Sequence, residues 1–218
     1  MTKNMSFLGK ITLYAAAAFL ALLMGYTTYQ LRSGIGWTLR PLNESLTVRE
    51  QQLADLTGNN PFFFQVRRGS YEIRIYHYEN GIFIPDPLVK AADWLDGEVW
   101  QHEIHINHTC VGEILLSTPI SPTGEQQVGL SQWGTSRWPR PFFDATGLNI
   151  DHASQEVSLI RDQEQVFFTI MASNSPDKFE RTDEILALEA FPKELPQFTD
   201  LEQLLIFTIT EIEPPEFY

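Results

Sequence analysis

Four side chains with metal-binding chemistry crowd into one short stretch: His102, His105, His108 and Cys110. Imidazole and thiolate are good ligands for transition metals. The residues around them, Val99–Asn107, read as a β-strand, in which successive side chains point to opposite faces. His102 then shares a face with Ile104 and Ile106, and His105 points the other way. His108 and Cys110, two positions apart, converge only if the chain stays extended. They are the candidate metal ligands, and a complete site would need further ligands from elsewhere in the fold. The competing reading is of hydrogen-bonded or surface histidines near a strand end.

Other chemistry is thinner. Gly129-Leu-Ser131-Gln-Trp-Gly134 is near a nucleophile elbow, but its second glycine falls one place late. That motif works only at a sharp strand-to-helix turn that exposes the serine, whereas here a Pro-rich loop follows. Asp93, Asp96 and Glu98 lie beside Trp94 and Trp100, and carboxylates next to aromatic rings occur in glycan-cleaving sites. The plainer reading is a polar loop between elements. Asp144 to Asp151 offers oxygen ligands without the spacing of a calcium loop. There is no phosphate-cradling glycine fingerprint, and Arg67-Arg68 is too small a basic patch for nucleic acid. The sequence therefore nominates no catalytic residue and no cofactor-binding residue. A transition metal at His108 and Cys110 is the one cofactor it suggests, and an enzyme is the less favoured class.

The elements that would position these residues are mostly strands. Tyr71-Glu-Ile73-Arg-Ile75-Tyr-His77 alternates with period two, and Asn80-Gly81 is the strongest short hairpin signal. Further strands are expected at Val99–Asn107, Glu113–Thr118, Val128–Trp133 and Leu204–Ile212. Val157–Arg161 and Val166–Ala172 flank Asp162-Gln163-Glu164 and suggest a second hairpin. Short helices are plausible at 87–95, 183–190 and 199–204, with a strand an equal alternative at Asp183–Ala190, and Trp133–Phe143 reads as an irregular loop. Phe62 and Phe64 should share one strand face with Phe63 opposite. Tyr76 and Tyr78 should oppose Ile73 and Ile75; if both faces of this hairpin are apolar, one could meet a partner or a second sheet, and core packing is the favoured reading. The fold class expected is mainly β, an antiparallel sandwich or barrel-like sheet, with α+β as the alternative.

The first forty residues differ in kind. Lys3 and Lys10 precede an uncharged run from Ile11 to Leu31, 21 residues including Phe19 and Leu23, and Arg32 follows it. A helix needs about 20 apolar residues to cross a bilayer. Tyr26, Tyr29 and Trp37 gather at the far side, where amphipathic rings favour the headgroup layer. After Met24 no small-residue cleavage pattern appears, so an uncleaved signal anchor is expected rather than a removed signal peptide. The organisation expected is a tail at 1–10, a transmembrane helix at 11–31, and a linker with a short amphipathic juxtamembrane helix within 32–60. An acidic β-rich domain at 61–212 and a tail at 213–218 complete it. In the juxtamembrane helix, about 43–57, Leu46, Leu53 and Leu56 share a face, and Gly58-Asn59-Asn60-Pro61 ends it.

Charge is just as uneven. All 28 acidic residues lie beyond residue 40, with 11 of the 15 basic ones, a surplus of 17 negative charges. Such a field repels nucleic acid and anionic headgroups and favours basic partners or simple solubility. The single cysteine, Cys110, excludes an intrachain disulfide. The layout resembles that of bacterial envelope accessory proteins, such as assembly factors, secretion or division components and toxin-immunity proteins. That likeness is one of architecture, which does not fix function. The charges flanking the run, Lys3 and Lys10 before it and Arg32 and Arg40 after it, lean slightly toward a cytoplasmic N-terminus, so a single-pass protein of the plasma or inner membrane with its large domain outside the cytoplasm is expected. There the domain would bind a protein partner, which could itself be a membrane protein. The alternatives are a tethered metal- or ligand-binding domain and, less favoured, an envelope glycan hydrolase using Asp96 or Glu98.

Overall fold

The computed structural model describes residues 16–26, 38–42, 61–85, 99–121, 123–132, 135–136 and 140–213. The chain divides into two compact units, Met1–Gly36 and Trp37–Tyr218. In the first unit, residues 16–26 are helical and exposed along their whole length. Among the described residues no helix is long and apolar enough to cross a membrane. The described helix is the middle of the expected 11–31 span, whose ends, Ile11 and Leu31, lie outside the described residues. So do the helices expected at 43–57 and 87–95.

The second unit is mainly antiparallel β. Its strands are β1 (Thr38–Pro41), β2 (Pro61–Glu79), β3 (Ile82–Phe83), β4 (Trp100–Ser117), β5 (Glu125–Gln132), β6 (Thr135–Ser136), β7 (Arg140–Asp144), β8 (Asn149–Ser154), β9 (Val157–Ser158), β10 (Gln165–Ser173) and β11 (Gln203–Ile212). They form one 11-stranded sheet in the order β6-β5-β4-β2-β11-β10-β8, with β1 and β3 also on β2, β7 on β5, and β9 on β1.

The 19-residue β2 organises the sheet. Along one edge it pairs β4 for nearly its whole length. Along the other it pairs β1 at Phe64 and Gln65, then β11 from Ser70 to Glu79. Between those two partners the strand is kinked. Arg67 lies opposite Val111 and Gly69 opposite Ile106, so Arg68 alone faces the four residues 107–110 of β4. An irregularity of this kind bends a strand and resets its facing. Before the kink, Phe64 and Val66 face the main core; after it, Tyr71, Ile73 and Ile75 do. Gly69 is required here because the Tyr71 ring folds back over it, and a Cβ would sit 2.8 Å from the Tyr71 hydroxyl. That hydroxyl donates to the Arg67 carbonyl at 2.9 Å.

Both faces of the central strands are buried. The main core gathers Phe64, Phe167, Phe168, Phe207, Ile73, Ile104 and Leu116. Phe64 meets Phe167 edge-on at 4.9 Å and Phe168 meets Phe207 at 5.1 Å, the tilted geometries that aromatic pairs prefer. A bulge between Val166 and Phe168 turns both phenylalanines inward, which strict alternation would forbid. On the opposite face, Tyr76, Tyr78, Met171, Leu204 and Ile206 are covered by Ile185, Leu195, Phe198 and Leu201. Those four come from the 3-10 turn Pro196–Phe198, the short helix Thr182–Leu186 and the chain around them. The apolar character foreseen for both faces of the first hairpin is thus core packing on each side.

Several elements depart from the expectation. The two strands expected at 99–107 and 113–118 are one strand, β4. The Val157–Ala172 hairpin does not form. β9 pairs β1 while β10 pairs β8 and β11, because the intervening turn, with Asp162 at φ +59°, is held by its backbone against Glu211 at the end of β11. The loop expected at 133–143 contains β6 and β7, and Pro141 is tolerated because β7 pairs on one side only. Of the two readings open at 183–190 the helix forms, limited to Thr182–Leu186, and at 199–204 a turn leads into β11 instead of a helix. The Asn80-Gly81 hairpin and the terminal strand stand where expected.

The hairpin turn supplies a stability test. Asn80 and Gly81 have φ +49° and +76°, the left-handed pair of a two-residue turn. A Cβ on Gly81 would meet the Leu195 carbonyl at 2.5 Å. Gly81→Ala should therefore lower unfolding free energy by more than about 1 kcal/mol, whereas Asn80→Gly should change it by only a few tenths. Urea unfolding of the full chain in detergent, followed by fluorescence, measures both.

Candidate functional site

The structure puts the histidine stretch on β4 but does not draw it into one cluster. His102 lies opposite Ile73 and shares its face with the buried Ile104 and Ile106, as strand alternation requires. Its ring is 5.9 Å from that of Trp100. His105, on the other face, has Nδ1 3.0 Å from the Ser70 hydroxyl and Nε2 3.6 Å from Glu103. His108 and Cys110 fall in the four-residue stretch opposite Arg68. The regular ladder that would point both the same way is interrupted there, and their side chains lie outside the described residues. Among the described residues no three His, Cys, Asp or Glu groups converge as a metal would need.

Ser131 sits inside β5, opposite Leu115 and Ser136, so its surroundings are a ladder and not a strand-to-helix elbow. Asp93, Trp94, Asp96 and Glu98 lie outside the described residues; Trp100 opens β4 and packs against the main core. Of the span residues, Phe19 and Leu23 lie on the described helix, 66% and 49% exposed.

What the fold does assemble are three polar clusters that the sequence reading missed. The first is an ion pair at the β2 kink. Arg67 donates to both carboxylate oxygens of Glu211, and both side chains are buried. Glu211 continues the inward-facing series Leu205, Phe207 and Ile209 on β11. A carboxylate at that phase in so apolar a strand needs a partner, and this was the available signal. Burial, and then the Glu211 charge, hold the Tyr71 phenol well above its ordinary range.

The second cluster lies on the other face, where the apolar cover gives way. Glu164 accepts from the Tyr76 hydroxyl at 2.9 Å and from Thr208, with Arg74 at 3.5 Å. Arg74 is also 2.6 Å from Glu72. Burial, then the Glu164 charge, raises the Tyr76 phenol far enough to keep it a proton donor at any physiological pH.

No family model, no curated protein and no solved structure matches this chain. Its chemistry must be read from its own residues.

The third cluster joins distant parts of the sheet. His152 on β8 has its ring 5.3 Å from Phe62 of β2 and 6.2 Å from Phe168 of β10. Its Nε2 is 3.4 Å from the hydroxyl of Thr118, which is buried just past the end of β4. The Thr118 carbonyl in turn accepts from the buried Gln126 amide at 3.0 Å. Burial lowers the His152 pKa to about 4, against a weaker opposing pull from Asp151. The ring is neutral at pH 7. Each of the three clusters ties one strand or strand end to another.

The kink pair can be dissected directly. Removing one member strands a buried charge, so Arg67→Met or Glu211→Leu should each destabilise the chain by about 3–5 kcal/mol. The double variant should recover much of that loss, because an apolar pair of similar volume has no charge left to desolvate. Denaturant midpoints of the four chains form the cycle. Additive losses would mean that the two residues act separately.

Proposed function

We propose that this chain is a single-pass, membrane-anchored accessory protein whose acidic β-rich domain lies outside the cytoplasm and binds a protein partner. The observation that carries the reading is the exposure of the apolar helix. Phe19, Leu20, Leu22, Leu23 and Met24 are 49–73% exposed, inside an uncharged run of bilayer length. Burying each such side chain is worth roughly 1.5–3 kcal/mol, so these five alone favour an apolar medium by on the order of 10 kcal/mol. The β-rich unit has two closed cores of its own. Lipid is the medium that the length and flanking charges of the run suit best. Lys3, Lys10 and the α-amino group before the run, against Arg32 and Arg40 after it, lean slightly toward a cytoplasmic N-terminus.

The partner argument rests on charge and on the polar chemistry of the described residues. A surplus of 17 negative charges beyond residue 40 favours a basic protein surface and strengthens encounter at low salt. The polar clusters inside the domain are committed to joining strands, which suits a rigid binding body better than a catalyst.

Two measurements test the reading. The chain should remain in the membrane pellet after an alkaline carbonate wash. Leu20→Arg with Leu23→Arg should abolish insertion, since each arginine at a span centre costs about 2.5–3.5 kcal/mol. Recovery of the unaltered chain in the supernatant without detergent would remove the anchor. Purification from gently solubilised membranes at 50 mM salt should bring down a stoichiometric protein that is lost at 500 mM salt. Recovery of the chain alone at low salt would remove the partner.

A further inference from the structure

The polar joint at His152 has a position and a composition that go beyond holding strands together. β8 ends the path of the sheet at one side and pairs β10, with His152 opposite Ile170. Thr118 follows β4 and leads into the turn before β5, toward the other side of the sheet. The contact from His152 Nε2 to the Thr118 hydroxyl therefore spans two arms of the sheet that the ladder itself does not pair. Around the imidazole the packing is aromatic: Phe62 from β2 and Phe168 from β10, whose own rings are 4.6 Å apart. Thr118 is 1% exposed and Phe168 0%, so the joint reaches directly into the main core.

We propose that the His152–Thr118 contact is an acid-sensitive latch: protonation of the imidazole releases β8 from the end of β4 and loosens the sheet between its two arms. The neutral ring fits its surroundings, with one nitrogen on a hydroxyl and its faces on phenyl rings. The imidazolium does not. Both its nitrogens must donate, and Thr118 offers an oxygen to one of them. β2 presents Phe62, β10 presents Phe168 and Ile170, and the end of β4 presents Thr118. Among the described residues the single charged group whose field bears on the ring is Asp151, on β8 itself. Its carboxylate already accepts from the His152 backbone N–H at 2.9 Å. The attraction of a cation to a phenyl face is smaller than the hydration it gives up on burial.

The direction follows from linkage. The closed state holds His152 at a pKa of about 4, against an ordinary 6.5 once the ring is open to water. The open state binds the proton more readily between those values, so the latch is fully closed above about pH 6.5 and weakens as pH falls toward 4. From pH 7 to pH 5 the opening equilibrium should rise about twentyfold. The inference concerns the β-rich unit alone and stands or falls separately from the membrane reading.

Hydrogen exchange of the full chain in detergent micelles reads it, after correction for the intrinsic pH dependence of exchange. Protection of segments 149–154 and 117–126 should fall about twentyfold between pH 7 and pH 5, while the central β2–β11 ladder keeps its protection. His152→Phe should keep the packing and remove this pH dependence. If that variant does not fold, His152→Gln serves the same purpose, and an NMR titration of the His152 imidazole needs no variant. A change below threefold, a fall that persists in the variant, or a titration midpoint near 6.5 would each overturn the latch.

Discussion

One long strand has to satisfy two different neighbours along the same edge, and the rest of the β-rich unit follows from how it does so. β2 meets β1 near its start and β11 over its second half. A straight strand would keep one set of side chains inward throughout. The kink at Arg67–Gly69 changes which set faces the core, so Phe64 and Val66 pack inward on one side of it and Tyr71 and Ile73 on the other. The opening between the two neighbours would leave polar backbone facing the core. Instead it is filled from three directions. Arg67 pairs with Glu211, the Tyr71 hydroxyl reaches the Arg67 carbonyl, and the turn after β9 docks on the backbone of Glu211. The cost of burying that ion pair is accepted where its geometry specifies which strand ends and which begins.

Burial of both faces explains why the central strands carry so little alternation. β10 and β11 read as nearly unbroken apolar runs, because one side of each supports the main core and the other lies under the chain around the Thr182–Leu186 helix. Where that cover stops, the same face turns polar. Glu72, Arg74 and Thr208 then converge with Glu164, and the Tyr76 hydroxyl reaches across the border to join them. The second face is thus one surface with an apolar end and a hydrogen-bonded end, and the 3-10 turns and short helix are sized to the apolar part.

Sequence made the strands visible where their cause was local. Asn80-Gly81 demands a left-handed pair of residues whatever surrounds it, and the alternation of Tyr71 to His77 reports a face directly. It failed where the cause was distant. Val157–Arg161 looked like the return of a hairpin because it is β-prone and precedes a turn, yet its partner is β1, more than a hundred residues earlier in the chain. The two halves of β4 looked separate because the stretch from Asn107 to Cys110 breaks alternation, and only its register against Arg68 shows one irregular strand. The same irregularity undercuts the premise on which His108 and Cys110 were paired. Glu211 could have been suspected from its phase, but nothing local pointed to Arg67. His152 sits in an ordinary polar stretch, Asn149 to Ser154, and its significance lies in the two phenyl rings that the fold brings to it.

In the described part of this unit the conspicuous polar groups are spent on the scaffold. Arg67, Glu211, Glu164 and the tyrosine hydroxyls bind strand to strand or to the neighbouring turn. His152 differs. Its imidazole is buried against Phe62 and Phe168, and it bridges two arms of the sheet that the ladder does not pair. An imidazole held between phenyl rings at a seam that the ladder does not pair places a proton-sensitive group where the two arms have little else to join them.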